Sequence, residues 1–114
     1  MAGYIDLQRI SELEDVMGAE GPAIVSSMLD NMTSAIDEIE HAMGARDLDR
    51  TTSPAHRCRN DALMLGAGQL LAALTDLEAA TRQADGAGAD AALEQVRLVW
   101  PPTRDELAAS ANPP

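Results

Sequence analysis

One histidine in this chain has neighbours that suit chemistry on an anionic group. His56 falls near the start of a helical segment, and at about 100° per residue Arg59, Asn60, Leu63 and Ala67 project within about a quarter turn of it. Imidazole is nucleophilic near neutral pH because its ordinary pKa of about 6.5 leaves most of it unprotonated. Arg59 would place a cation beside the ring, and phosphoryl transfer depends mostly on positioning and charge compensation. The pattern predicts a reactive side chain within a docking patch.

The opposite side of the same segment is apolar. Cys58, Ala62 and Leu65 lie across the helix from His56, so we expect them to pack inward, with Cys58 as a small buried hydrophobe. His41, on another segment, is expected to be a solvated side chain. His41, His56 and Cys58 do not have the spacing of metal ligands, so no metal site is predicted and a metal-dependent enzyme is a distant alternative.

The order of residues from His56 to Gly66 resembles the signature of the histidine phosphotransfer (HPt) domains of multistep phosphorelays. That signature reads His, any residue, Leu, Lys, Gly, two small residues, two variable residues, an aliphatic residue and Gly. The matching positions are His56, Arg57, Cys58, Arg59, Asn60, Asp61, Ala62, Leu63, Met64, Leu65 and Gly66. The likeness covers the chain from about Ile5 to Val99, and its other positions are Asp47, Leu48, Leu70, Leu74, Leu77 and Glu78.

This resemblance implies a phosphoryl carrier without kinase activity of its own. His56 would accept a phosphoryl group from the aspartate of a receiver domain and pass it to another receiver, with Arg59 compensating charge. Asn60, Leu63 and Ala67 would form the docking surface. The partners would be response-regulator receiver domains and a histidine kinase or hybrid kinase. The chain would need no cofactor of its own, because magnesium would be bound by the receiver, and we expect a monomer rather than a dimer.

Three positions depart from the family pattern. Arg59 replaces lysine, Asn60 replaces the glycine that lets a receiver approach closely, and Asp61 replaces a small residue and adds negative charge. A second hypothesis is therefore a non-catalytic helical module that docks a receiver or kinase through the same face. Leu63 and Ala67 fit the core as well as they fit a docking surface.

Composition limits the partners. The chain has 114 residues, enough for one domain (1–114), and 19 acidic against 8 basic residues give a net charge of −11. Such a surface repels nucleic acid and anionic lipid, so no nucleic-acid or membrane partner is expected. The start of the chain resembles no leader, and the longest uncharged run, Ala62 to Thr75, is too short to span a bilayer. We expect a cytoplasmic protein.

Apolar spacing predicts helices throughout. The first should cover Ile5 to Met17 with Asp6 as N-cap, and the second should run from Pro22 to about Ala45. The apolar positions of the second helix recur every three or four residues, at Ile24, Met28, Met32, Ala35 or Ile36, Ile39 and Met43.

The third helix carries His56 and has two possible starts. Either Ser53 is the N-cap and Pro54 the first helical residue, which puts His56 in the first turn, or the helix starts near Asp49 and Pro54 kinks it. In both cases it should run to about Gln83, with Gly66 and Gly68 as close-packing points between helices.

The last helix should be capped by Asp90 and stopped by Pro101–Pro102, with one or two further turns through Ala109 and a disordered tail at 110–114. The predicted fold is all-α, an antiparallel up-down four-helix bundle with a short N-terminal helix.

Overall fold

The computed structural model describes residues 3–111, nearly all of them in helices. A short helix, α1 (Leu7–Met17), leads into a single 3₁₀ turn at Gly18–Glu20. Four longer helices follow, and their bounds are α2 (Gly21–Gly44), α3 (Leu48–Met64), α4 (Gly68–Arg82) and α5 (Gly86–Ala111). Each of these four contacts the next along the chain, and α5 returns to contact α2. The predicted all-α four-helix bundle is confirmed.

The core lies between the four long helices and follows the spacing seen in the sequence. On α2, the predicted face is buried at Met28, Met32, Ile39 and Met43, while Ile24 is half-buried. The other helices contribute the buried residues Ala55, Cys58, Ala62, Leu70, Leu74, Leu77, Leu93, Val96 and Leu107. Each large apolar side chain removed from water stabilises the fold by about 1.5–3 kcal/mol, which makes this core the main support of the bundle.

Three turns of one form join the long helices. They occupy residues 45–47, 65–67 and 83–85. In each turn the middle residue is left-handed, and these residues are Arg46, Gly66 and Ala84, with φ of 57°, 66° and 54°. The residue after each donates its N–H to a carbonyl in the last turn of the preceding helix, at 2.8 to 2.9 Å. Connections this short direct a helix back along its predecessor, as the up-down arrangement requires.

The prediction of one helix from the histidine segment to Gln83 is wrong. The helix divides at Gly66 into α3 and α4, because Gly66 adopts a left-handed conformation and the N–H of Ala67 returns to the carbonyl of Ala62 at 2.9 Å. The apolar spacing runs on through the turn, since Ala67 and Leu70 are both fully buried. Periodicity alone therefore does not reveal the break.

Of the two predicted starts for α3, the earlier one is correct. Asp47 is the N-cap, with its carboxylate accepting from the N–H of Arg50 at 3.1 Å, and Pro54 lies inside the helix. The carbonyl of Arg50, which loses its usual donor to Pro54, belongs to an exposed residue and so can be solvated. The version with Ser53 as N-cap is wrong, and His56 therefore lies well beyond the first turn and its partial positive charge.

The last helix also differs from the prediction. It starts at Gly86 rather than after Asp90, because Asp85 accepts from the N–H of Gly88 at 2.9 Å, and it continues through Pro101 and Pro102 to Ala111. The carbonyls that lose donors to the two prolines belong to Arg97 and Leu98, which are exposed. Residues 110 and 111, predicted as disordered, are helical, and the rest of that tail lies outside the described residues.

The N-terminal segment packs against the turn between α3 and α4. Asp6 caps α1 as predicted, accepting from the N–H groups of Gln8 and Arg9 at 3.1 and 3.2 Å. A Cβ on Gly66 would lie 2.5 Å from the Cβ of Asp6, whereas one on Gly68 would have nothing within 4 Å. Gly66 is thus a turn residue in close contact with this segment, and the prediction of a close-packing point at Gly68 is wrong.

None of the helices within residues 3–111 combines the length and the apolar character needed to cross a membrane.

We predict that Gly66→Ala destabilises the protein by roughly 1–3 kcal/mol, because alanine would be strained at positive φ and would crowd Asp6. Gly68→Ala is the matched control and should be neutral or slightly stabilising, since alanine favours the helix. Urea unfolding of both variants measures this difference. Equal stability of the two would contradict the role assigned to the turn.

Candidate functional site

His56 projects outward, as predicted, but it lies in the middle of α3 rather than near the start of the helix. Cys58, Ala62 and Leu65 are fully buried on the opposite side of the helix. The imidazole is 43% exposed, so a partner can reach it. Burial raises the pKa of the Cys58 thiol to about 12, and this side chain is therefore an unreactive part of the core.

The imidazole contacts a carboxylate from the next helix. Nδ1 of His56 lies 3.1 Å from each oxygen of Glu78 on α4. Glu78 is only 8% exposed, in a face of α4 that also buries Leu74 and Leu77. The pair therefore joins α3 to α4 at the edge of the core, with the ring on the solvent side.

Two arginines complete the surroundings of this carboxylate. Arg82, one turn along α4, has its Nη2 2.8 Å and its Nε 3.0 Å from Oε2 of Glu78. Arg59 on α3 has its Nε 3.2 Å from Oε1, a contact whose geometry is ionic rather than that of a hydrogen bond, since this Nε has no hydrogen-bond partner. Glu78 is thus shared by an imidazole and two guanidinium groups.

The balance of these effects keeps Glu78 ionised. Burial by itself raises the pKa of this carboxyl group, but the hydrogen bonds from Arg82 and His56 and the positive charge of Arg59 outweigh it. The net result is a pKa below the ordinary value for glutamate.

An ionised Glu78 determines which ring nitrogen of His56 carries hydrogen. A lone pair on Nδ1 would face two carboxylate oxygens at 3.1 Å, which is repulsive, so Nδ1 carries the hydrogen and donates it to Glu78. Nη2 of Arg59 approaches Nδ1 at 3.3 Å, but a single longer contact with a guanidinium already held by Glu78 is the weaker influence. Nε2 then has a free lone pair, and it has no protein partner among residues 3–111.

The remaining predicted site residues divide into exposed and buried ones. Asn60 is exposed and Leu63 is 53% exposed, and both lie on the same side of α3 as His56. Met64, 52% exposed, extends this surface. Ala67 is fully buried in the turn after α3, so its predicted place in the docking surface is wrong. Asp61 follows Asn60 in α3, and its partial burial raises the pKa of its carboxyl group although the positive charge of Arg57 acts to lower it.

Glu78 and Arg82 were not predicted to belong to the site. A signal was present, because Glu78 follows Leu74 by one turn on the buried face of α4, where a charged side chain requires a partner. Arg82, one turn further on, is a suitable partner on the same helix. His56 lies on α3, so its pairing with Glu78 could be predicted only by someone who knew that the chain reverses at Gly66.

Residues 3–111 contain no group of three or more His, Cys, Asp or Glu side chains that could hold a metal ion. Comparison of the whole chain with known proteins gives no match to a family model, to a curated protein or to a solved structure. The resemblance to HPt domains therefore rests on the order of residues in the sequence alone.

The lowered pKa of Glu78 predicts how stability changes with pH. Because the folded-state value lies below the unfolded one, its contacts stabilise the fold above about pH 4.3 and are lost as the pH falls through the folded-state value. Glu78→Gln should lower the free energy of unfolding at pH 7 by on the order of 1–3 kcal/mol and flatten its decline between about pH 5 and pH 3.

Denaturant unfolding at a series of pH values measures both effects. Glu94→Gln is the control, since Glu94 is an exposed glutamate that pairs with Arg97 on α5 and does not contact His56. If wild type and Glu78→Gln lost stability with the same slope in acid, the ionised state assigned to Glu78 would be incorrect.

Proposed function

We propose that this chain is a histidine phosphotransfer protein of a multistep two-component phosphorelay. His56 accepts a phosphoryl group from the aspartate of one receiver domain and passes it to another. The observation that carries the proposal is the contact of Nδ1 with Glu78, which leaves Nε2 as a nucleophile at the surface of a helical bundle, next to Arg59. The HPt-like order of residues around His56 supports the same function.

The chemistry needs few groups from this chain. The lone pair on Nε2 attacks the phosphorus of an aspartyl phosphate, the bond from phosphorus to the aspartate oxygen breaks, and the electron pair leaves with the carboxylate. Arg59, 33% exposed, is close enough to the ring to turn toward the incoming phosphoryl group. The partner's receiver domain supplies magnesium and the acidic residues around it, so this chain acts as a carrier with no kinase activity and no cofactor of its own.

Charge around His56 favours acidic partners. The chain is strongly acidic, yet Arg59 on α3 and Arg82 on α4 both lie beside the ring, where they contact Glu78. These two cations attract the acidic phosphorylation site of a receiver, while the acidic remainder of the surface repels other acidic proteins. The exposed Leu63 and Met64 add an apolar contact next to this site. The partners are accordingly receiver domains and a histidine or hybrid kinase, bound by a cytoplasmic monomer.

A second candidate is a docking module that binds a receiver or kinase without accepting a phosphoryl group. It is favoured by Asn60, which is exposed where HPt domains have glycine, and by Asp61, which adds negative charge nearby. Both residues would hinder a close approach of the receiver aspartate to His56.

We predict that wild type, incubated with a phosphorylated receiver domain and magnesium, gains the mass of one phosphoryl group and loses it in acid. His56→Ala should gain none, because it lacks the nucleophile, whereas the control His41→Ala should behave as wild type. Intact mass spectrometry before and after acid treatment gives the answer.

The same experiment separates the two candidates. Receiver binding that persists in His56→Ala while transfer is abolished would reject the docking module. Binding by wild type without any acid-labile adduct, over several receivers, would reject the phosphotransfer function.

The side chain of Asn60 leads to a separate prediction. Asn60→Gly should increase the rate of transfer several-fold, because removing an exposed side chain near His56 lets the receiver approach more closely. Quench-flow measurement of phosphoryl transfer gives the rate. Asn60→Ala is the control, because it also removes the amide but does not add the backbone flexibility of glycine. A slower rate in Asn60→Gly would show instead that the amide contacts the phosphoryl group.

A further inference from the structure

Glu78 contacts Nδ1, the ring nitrogen that does not take the phosphoryl group, and this contact lies on the buried side of the ring. From this geometry we propose that Glu78 holds the proton on Nδ1 of phosphorylated His56 and so keeps the phosphohistidine short-lived. The inference rests on the proposed function and concerns its regulation. It makes His56 a group that discharges rapidly rather than a store of phosphate.

The proton on Nδ1 matters because of how the nitrogen–phosphorus bond breaks. When Nε2 attacks phosphorus it forms a phosphoimidazolium, which still carries the hydrogen on Nδ1. If that hydrogen stays, cleavage returns the electron pair to Nε2 and releases a neutral imidazole. If it has been lost to solvent, the same cleavage must release an imidazolate anion, which is a far poorer leaving group. Retention of the proton therefore determines how readily the phosphoryl group moves to an aspartate or to water.

The charged groups around Nδ1 have opposite effects on its protonation. Glu78 favours the protonated ring, since a hydrogen bond to the charged form stabilises it. Arg59 on α3 and Arg82 on α4 oppose protonation, but both are held by the oxygens of Glu78, at 3.2 and 2.8 Å. The carboxylate is also nearer to Nδ1 than the guanidinium of Arg59, at 3.1 Å against 3.3 Å. Glu78, the charged group nearest to Nδ1, therefore outweighs the two arginines and keeps the proton on the ring.

Replacing Glu78 by glutamine makes the Nδ1 proton easier to lose in two ways. The amide keeps the shape of the side chain but accepts a weaker, neutral hydrogen bond, and both arginines lose their anionic partner. A charge-assisted hydrogen bond exceeds a neutral one by an amount equivalent to about tenfold in an equilibrium constant. The phosphorylated variant should therefore lose its Nδ1 proton more readily and keep its phosphoryl group longer.

The test uses the full chain and a small phosphoryl donor, so that it depends on no particular receiver. Wild type, Glu78→Gln and the control Glu38→Gln are phosphorylated with phosphoramidate, the donor is removed, and the phosphohistidine half-life is followed by ³¹P NMR at about pH 6.5 and 8.5. Glu38 suits the control because it pairs with Arg57 on α3 and does not contact His56. Circular dichroism establishes that each variant is folded.

We expect the half-life of wild type and of Glu38→Gln to change little between the two pH values. At pH 8.5 the half-life of Glu78→Gln should be about tenfold longer than that of wild type. Equal half-lives of wild type and Glu78→Gln would overturn the inference and leave the phosphotransfer function intact. If Glu78→Gln does not fold, a wild-type half-life that rises tenfold or more from pH 6.5 to 8.5 would overturn it. Failure of wild type to take up phosphate from phosphoramidate and from receivers would overturn both.

Discussion

The side chain of Glu78 is ionised and nearly buried, and the relation between α3 and α4 depends on it. A carboxylate removed from water without partners would cost several kcal/mol, so the fold is stable only where this group meets donors. His56 and Arg59 on α3 and Arg82 on α4 meet this need at 2.8 to 3.2 Å. A shift of α3 along α4 by one turn would remove His56 and Arg59 from the carboxylate and leave it with Arg82 alone, so these contacts favour one register of the two helices as well as one orientation of the imidazole.

The turn at Gly66 makes this contact possible. His56 and Glu78 lie at nearly equal distances in sequence on either side of Gly66, so a tight reversal there brings them to the same level of the bundle. The other two turns have the same form with Arg46 and Ala84 in the left-handed position, which costs a residue with a Cβ about 1 kcal/mol or more. Of these three turns, only the one between α3 and α4 has glycine in that position, and there a Cβ would also meet the Cβ of Asp6.

The sequence predicts those features that depend on one helix at a time. The apolar face of α2 and the opposite placement of His56 and Cys58 follow from helical spacing, and the structure confirms them. The division of α3 from α4 could not be predicted in this way, because the apolar spacing continues through the turn. Likewise Pro101 and Pro102 read as a stop, yet the carbonyls that they leave without donors belong to exposed residues, and the buried Leu107 holds the helix beyond them in the core.

The pairing of His56 with Glu78 depends on two helices and on a turn whose position was not predicted, which is why the most informative contact of the candidate site was missed. It also couples stability to the proposed chemistry. The chain has a net charge of −11, and most of its acidic side chains are solvated and can be substituted at little cost to stability. Glu78 differs because it supports the packing of α3 on α4 and leaves Nε2 as the free nitrogen. A substitution at position 78 therefore cannot alter the proposed nucleophile without also altering the helix interface, whereas substitutions at exposed Asn60 or Leu63 can alter partner contacts while leaving the core unchanged.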